Sequence, residues 1–204
     1  DYIIPEPYGV TLNISPWNYP FQLSISPLIG AVAAGNTVML KPSEFSSKTS
    51  EIVKKIIENT FEKGHVDVIL GGPEIGSKLL DFNWDYIFFT GSTNIGKIVA
   101  QKAAINLTPT TLELGGKNPC IVDETANLKV ASKRIVFGKF LNCGQTCIAP
   151  DFILVHESVK KDFTEKIIER IKKIYNEDVE NSENYSRIIN KKHLGGQISP
   201  GLNI

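Results

Sequence analysis

The stretch DYIFFTGSTNIGKIVAQKAA, residues 85–104, constrains the fold more than any other part of the chain. An apolar run, a glycine-bearing loop and a helical pattern follow one another without a gap. Residues 87–89 read as a strand, 91–96 as the loop and 98–104 as the continuing helix. The same succession recurs upstream. VTLNIS at 10–15 is a short strand entering the turn-rich SPWNYP, and residues 21–34 form a buried helix, irregular near Pro27, that ends at Gly35–Asn36. TVMLKP at 37–42 is a buried strand stopped by Pro42. The helix over 49–61 carries Ile52, Val53, Ile56, Ile57 and Phe61 on one face, with Lys54, Lys55 and Glu58 on its solvated side. A short strand at 66–70 and a short helix at 75–82 follow. This alternation predicts an α/β fold, an open parallel sheet with helices on both faces.

In such sheets ligands sit at the carboxyl ends of the strands. KPSE, residues 41–44, places Lys41 and Glu44 at one such end. The loop from Gly91 to Gly96 lies at another, and the unpaired N–H groups of a helix start there attract phosphate, with the hydroxyls of Ser92 and Thr93 as added donors. Two nucleotide motifs fail on single residues. Gly91, Gly96 and Lys97 satisfy G-x-x-x-x-G-K-[ST] until Ile98, and G-x-G-x-x-G requires glycine where Thr93 stands. An ordinary strand-to-helix turn is the competing reading.

TTLELGGKNPCIVD, 110–123, sets Glu113 in an apolar strand beside Gly115 and Gly116. A carboxylate there would be partly desolvated and suited to accepting a proton near neutral pH, against the plainer role of a paired edge-strand glutamate. Residues 119–122 form a further strand with Cys120 turned into the core, and 128–141 a helix. GKFLNCGQTC, 138–147, then breaks the helical pattern just before Cys147. A cysteine in a glycine-containing loop can meet a ligand as a thiolate, where one inside a regular element is a small buried hydrophobe. Asn18, in its loop between two prolines, is either an Asx-type turn former or an amide donor aimed into a cleft. DFILVHE at 151–157 reads as a strand, and 159–174 as an amphipathic helix with Phe163, Ile167, Ile168, Ile171 and Ile174 on its apolar face. Beyond Tyr175 the chain is polar and aperiodic, and HLGGQISPGLNI at 193–204 reads as a tail.

Charge and cysteine content narrow the function. Lys plus Arg and Asp plus Glu both total 22, so no basic field draws the chain to nucleic acid or anionic lipid. The longest apolar stretch, 28–40, is interrupted by Gly30, Gly35, Asn36 and Thr37 and is too short to span a membrane. Three cysteines, Cys120, Cys143 and Cys147, argue against a disulfide framework and for a reducing, cytoplasmic setting. His65, His156 and His193 offer no paired spacing near them, so no metal site is expected.

Four motifs thus stand in one order: PWNYP with Asn18, KPSE with Lys41 and Glu44, FTGSTNIGK with Gly91 and Gly96, and ELGGK followed by FLNCGQTC. In this combination the chain resembles the NAD(P)-dependent aldehyde dehydrogenase superfamily, and looks most like its class 3 or fatty-aldehyde branch, over about residues 1–190. The resemblance implies a Rossmann-like dinucleotide-binding domain over 1–112, the first part of an α/β catalytic domain over 113–190 and a divergent tail over 191–204. It implies Cys147 as the nucleophile that forms a thiohemiacetal with the aldehyde, and Asn18 with the backbone N–H of Cys147 as holders of the oxyanion. Hydride leaves for the nicotinamide, and Glu113 activates the water that hydrolyses the thioester. Lys41 and Glu44 are implied at the adenosine ribose, with Gly91, Ser92 and Gly96 at the pyrophosphate. An acid at the ribose favours NAD over NADP, softly, because Lys41 offsets part of the repulsion of a 2′-phosphate.

Members of that superfamily are much longer. The E-x-F segment and the dimer-building arm are absent here, so the chain reads as a fragment of a protein that is a homodimer at full length, with apolar surfaces left exposed. Two alternatives to an aldehyde-oxidising enzyme compete. One is a catalytically silent nucleotide-binding fragment. The other, a cofactor-free cysteine hydrolase, lacks a partner histidine. Cys143 is either an inert neighbour of Cys147 or a thiol that oxidises with it.

Overall fold

A computed structural model describes residues 2–197 and divides into two compact units at the Leu114–Gly115 bond. The first is built on five parallel strands, β1 (Val10–Ile14), β2 (Thr37–Lys41), β3 (Val66–Val68), β4 (Tyr86–Thr90) and β5 (Thr110–Glu113), in the order β3-β2-β1-β4-β5. The chain enters at the middle strand, works outward through β2 and β3, then returns to lay β4 and β5 on the other side. Strand order therefore reverses between β1 and β4, the kind of switch point outside which ligands sit in open α/β sheets.

Helices α1 (Pro20–Ala33), α2 (Ser47–Thr60), α3 (Pro73–Leu79) and α4 (Thr93–Ile105) cover both faces, as the alternation predicts. Successive strand residues point to opposite sides, which separates two cores. Val38, Leu40 and Val66 pack with Leu28 of α1 and Val53 and Ile57 of α2. Leu12, Ile87 and Phe89 pack with Leu79 of α3 and Val99 and Ala103 of α4. Leu12 is fully buried in the middle strand, and its truncation to alanine would cost about 2–5 kcal/mol.

Two local expectations are corrected. Helix α1 runs unbroken through Pro27, and it is not buried all round: Ser24 and Leu28 face the core while Phe21 and Ile29 are exposed. Its apolar composition hid that only one side meets the sheet. The loop after β4 has two residues rather than six, because Ser92 caps α4 by accepting the Ile95 N–H at 3.4 Å. Helix α4 therefore begins at Thr93, and Gly96 lies inside it.

The second unit pairs two parallel strands, β6 (Asn118–Val122) and β7 (Pro150–Val155), with helices α5 (Leu128–Phe140), α6 (Glu157–Tyr175) and α7 (Lys191–Gln197). Asn127 caps α5 through the Val130 N–H. Val122, Ile135 and Phe163 form the core, joined by Cys120, Leu128, Val155 and Ile167, so Cys120 does turn inward. The opposite side of the sheet leaves Ile121, Phe152 and Leu154 exposed. Helix α7 stands where a structureless tail is expected. Asn190 starts it by accepting the His193 N–H at 3.0 Å, a cap that the glycines after it obscured in the sequence. The rest of that expected tail, 198–204, lies outside the described residues. Among the described residues no helix is long and apolar enough to cross a membrane.

Candidate active site

In the first unit, the parallel register levels the carboxyl ends of the strands. Ile14 is opposite both Lys41 and Phe89, and Thr90 is opposite Glu113. One edge of the sheet thus carries the Asn18 loop after β1, Lys41 ending β2, Gly91 and Ser92 after β4, and Glu113 ending β5. Asn18 is half-buried between Pro16 and Pro20.

Lys41 is 4 % exposed, a burial that lysine tolerates only when paired. Its Nζ donates to Glu44 Oε2 at 2.9 Å. The intervening turn is fixed by Ser43, whose carbonyl accepts from the Ser50 hydroxyl at 2.9 Å and whose own hydroxyl accepts the Phe45 N–H. Ammonium and carboxylate stand side by side, one able to donate to a hydroxyl and the other to accept from it.

On the same edge of the sheet, the N-terminus of α4 offers first-turn N–H groups, and no acidic residue in that turn opposes its positive end. A Cβ on Gly91 would lie 2.5 Å from the buried Phe89 ring, so a side chain there would have to displace that ring. Gly96 acts differently. A Cβ there would come within 2.6 Å of Leu114, and its place one turn into α4 serves close helix-to-sheet packing. An ammonium and carboxylate suited to a hydroxyl, and a helix start suited to phosphate, are the two features a nucleotide would need.

Glu113 departs from expectation. It is exposed at the end of β5, the outermost strand on that side, and not desolvated. Its carbonyl accepts the Gly91 N–H at 2.9 Å, tying it to the loop after β4.

In the second unit Cys147 is exposed on a turn, as the break in the helical pattern predicts. The chain reaches it through a left-handed turn, with φ of 52° at Asn142, 57° at Cys143 and 73° at Gly144. The two non-glycine residues each cost on the order of 1–3 kcal/mol there, so surrounding contacts must hold them. Downstream, the Asn118 side-chain amide donates to the Cys147 carbonyl at 2.7 Å and to that of Ala149 at 3.1 Å. A Cβ on Gly116 would sit 2.5 Å from the same Cys147 oxygen. Upstream, the 7 % exposed Gln145 binds the turn through its side chain. Asn118 and Gln145 are given no role by the sequence, and Gly116 stands there only as a neighbour of Glu113.

Cys143 lies beside Tyr185, in an aromatic cluster with Phe140 and Tyr175. Burial, then the hydrogen bond to Cys143, holds the Tyr185 hydroxyl proton well above its ordinary range. Burial likewise raises Tyr175. Among the described residues no three His, Cys, Asp or Glu side chains gather to hold a metal.

The model of the aldehyde dehydrogenase family matches residues 1–196. The chain belongs to that family. The match passes the Asn190 at which the sequence resemblance was expected to stop. A 4,4′-diaponeurosporen-aldehyde dehydrogenase of Staphylococcus aureus is 55 % identical over 94 % of this chain and 42 % of its own length. Aldehyde dehydrogenase family 3 member A2 of Macaca fascicularis is 50 % identical over 95 % of the chain and 40 % of its own. A mouse aldehyde dehydrogenase named dimeric and NADP-preferring is also 50 % identical, over 95 % and 43 %. The substrate-bound structure of Staphylococcus aureus AldH superposes with a TM-score of 0.88 at 53 % identity, over 94 % of this chain and 42 % of that one. The chain thus spans about two fifths of the length of these relatives, and the class 3 likeness agrees with the motifs.

Proposed function

We propose that this chain carries the cofactor-binding and nucleophile-bearing portions of an aldehyde dehydrogenase that converts an aldehyde to a carboxylic acid. The observation that carries the reading is the setting of Cys147, an exposed thiol on a turn whose carbonyl is pinned by Asn118. The Cys147 thiolate attacks the aldehyde carbonyl and forms a thiohemiacetal. The Asn18 amide and the Cys147 N–H donate to the oxyanion. A nicotinamide cofactor, when bound, supplies the hydride acceptor that turns this adduct into a thioester. Glu113 takes a proton from the water that hydrolyses the thioester, and its exposure leaves it open to that water.

Lys41 and Glu44 hold the adenosine ribose, and Gly91, Ser92 and the first turn of α4, with Gly96 keeping that helix close, hold the diphosphate. Glu44 favours NAD, while the buried ammonium 2.9 Å away leaves NADP use open, a preference carried in the name of the mouse relative. The Staphylococcus aureus relative is named for 4,4′-diaponeurosporen-aldehyde, which makes that compound a candidate substrate beside simpler aldehydes. The full-length form is cytoplasmic and a homodimer, the mouse relative being named dimeric.

A spectrophotometric assay of NADH formation from a medium-chain aldehyde, with wild type and Cys147→Ala, tests the reading. Turnover abolished by the substitution is expected, and residual turnover in Cys147→Ala would overturn it. Nucleotide binding without any turnover in wild type would favour the silent fragment instead.

A further inference from the structure

The turn that presents Cys147 is held by a contact that the proposed chemistry does not use. Gln145 lies between the left-handed residues and the thiol, and its side-chain amide is almost fully buried. Its Nε2 donates to the Asn142 carbonyl at 2.9 Å and to the Arg187 carbonyl at 3.1 Å, while its Oε1 accepts the Ile189 N–H at 2.9 Å. Donating to residue 187 and accepting from residue 189 is the pair of bonds that a strand residue makes to the neighbours of its partner in a parallel ladder. A side chain here takes the place of a peptide group. It joins the turn to a segment 42 and 44 residues further on that is neither helix nor strand.

We propose that Gln145 is a positioning residue, a latch that ties the turn carrying Cys147 to the Arg187–Ile189 segment and so sets how the thiol is presented. The left-handed conformation at Asn142 and Cys143 is unfavourable by itself, and the Gln145 amide answers it by bonding the Asn142 carbonyl directly. Asn118 fixes the chain on the far side of the thiol. With both ends held, the thiol is left at the apex of a rigid arch. Segment 185–189 meets the turn again where Tyr185 lies beside Cys143, so the latch also determines how far that second thiol is shielded. The positioning role rests on the reading of Cys147 as nucleophile; the latch itself does not.

The test is Gln145→Met, which keeps the volume of glutamine and removes all three bonds, read by residue-resolved mass spectrometry of iodoacetamide alkylation and by hydrogen exchange. In wild type the exposed Cys147 reacts faster than Cys143. In the variant the ratio of Cys143 to Cys147 alkylation rises about tenfold and the Ile189 amide loses its protection. A ratio unchanged from wild type, as a merely space-filling glutamine would give, overturns the proposal, as does an Ile189 amide that stays protected. Where Gln145→Met does not fold, Gln145→Glu carries the comparison: it keeps the acceptor for Ile189 and loses the donors, so Ile189 stays protected while the ratio still rises. Neither readout needs aldehyde or cofactor. Absence of NADH formation in wild type therefore counts against the proposed activity, and an unchanged ratio counts against the latch.

Discussion

Asn118 donates its side-chain amide to the carbonyl oxygen of Cys147 at 2.7 Å, joining the first residue of β6 to a thiol 29 residues later. The same amide reaches the Ala149 carbonyl at 3.1 Å, so one short side chain bonds two carbonyls of the turn. Asn118→Ala should lower stability by about 0.5–1.5 kcal/mol, the net contribution of a hydrogen bond at a partly solvated site. Urea denaturation of both proteins measures it. A loss within error of zero would mean that water replaces the amide.

The two glycines of ELGGK should respond in opposite ways. A Cβ on Gly116 meets backbone, the Cys147 oxygen at 2.5 Å, whereas one on Gly115 meets nothing within 4 Å. Gly116→Ala should cost about 1–3 kcal/mol and Gly115→Ala should be near neutral. Paired denaturation curves decide it, and equal effects would remove the close approach as the cause.

The ion pair at the end of β2 should set both affinity for the cofactor and choice between its two forms. Lys41→Met should weaken NAD binding by about tenfold, since a charged hydrogen bond is lost. Glu44→Gln removes the negative charge that opposes a 2′-phosphate, and should move the ratio of NADP to NAD affinity about tenfold toward NADP. Calorimetric titration of both nucleotides reads each change. Unchanged NAD affinity in Lys41→Met would take the lysine out of the site.

Stability should fall at alkaline pH through Tyr185. Its folded-state proton is held above the ordinary tyrosine value of 10.0, by burial first and by Cys143 second. A proton bound more tightly in the folded state gives stability that is fully present below pH 10 and is lost as pH rises through the folded value. Melting temperatures across that range should drop less steeply in Tyr185→Phe. Parallel curves for the two proteins would show that Tyr185 does not titrate in linkage with folding.

The order of strands and helices was legible in the sequence because each element announces itself locally. Apolar runs such as 37–41 end at proline, and the helical periods of α2 and α6 repeat without interruption. What escaped was decided by partners remote in the chain. Gly96 reads as loop because Gly91, Ser92, Thr93 and Asn94, all turn formers, come shortly before it, but Ser92 caps the helix earlier and Leu114 makes glycine useful inside it. Glu113 looked desolvated because Leu112 and Leu114 flank it, while only the sheet order reveals that β5 lies outermost. Asn118 and Gln145 are unremarkable amides locally; their bonds run to residues 29 to 44 positions away, a distance no periodicity reports. Cys147 was visible for the opposite reason, since the break before it is a local event.

The bare side of the β6–β7 sheet has a practical outcome at the bench. Ile121, Phe152 and Leu154 offer a greasy strip to any copy of the same molecule, and with a formal net charge of +0 at pH 7 no long-range repulsion holds two copies apart. Heat-denaturation midpoints of this chain should therefore drift with protein concentration, and clouding should set in most readily near neutrality, where its pI of about 7.0 lies.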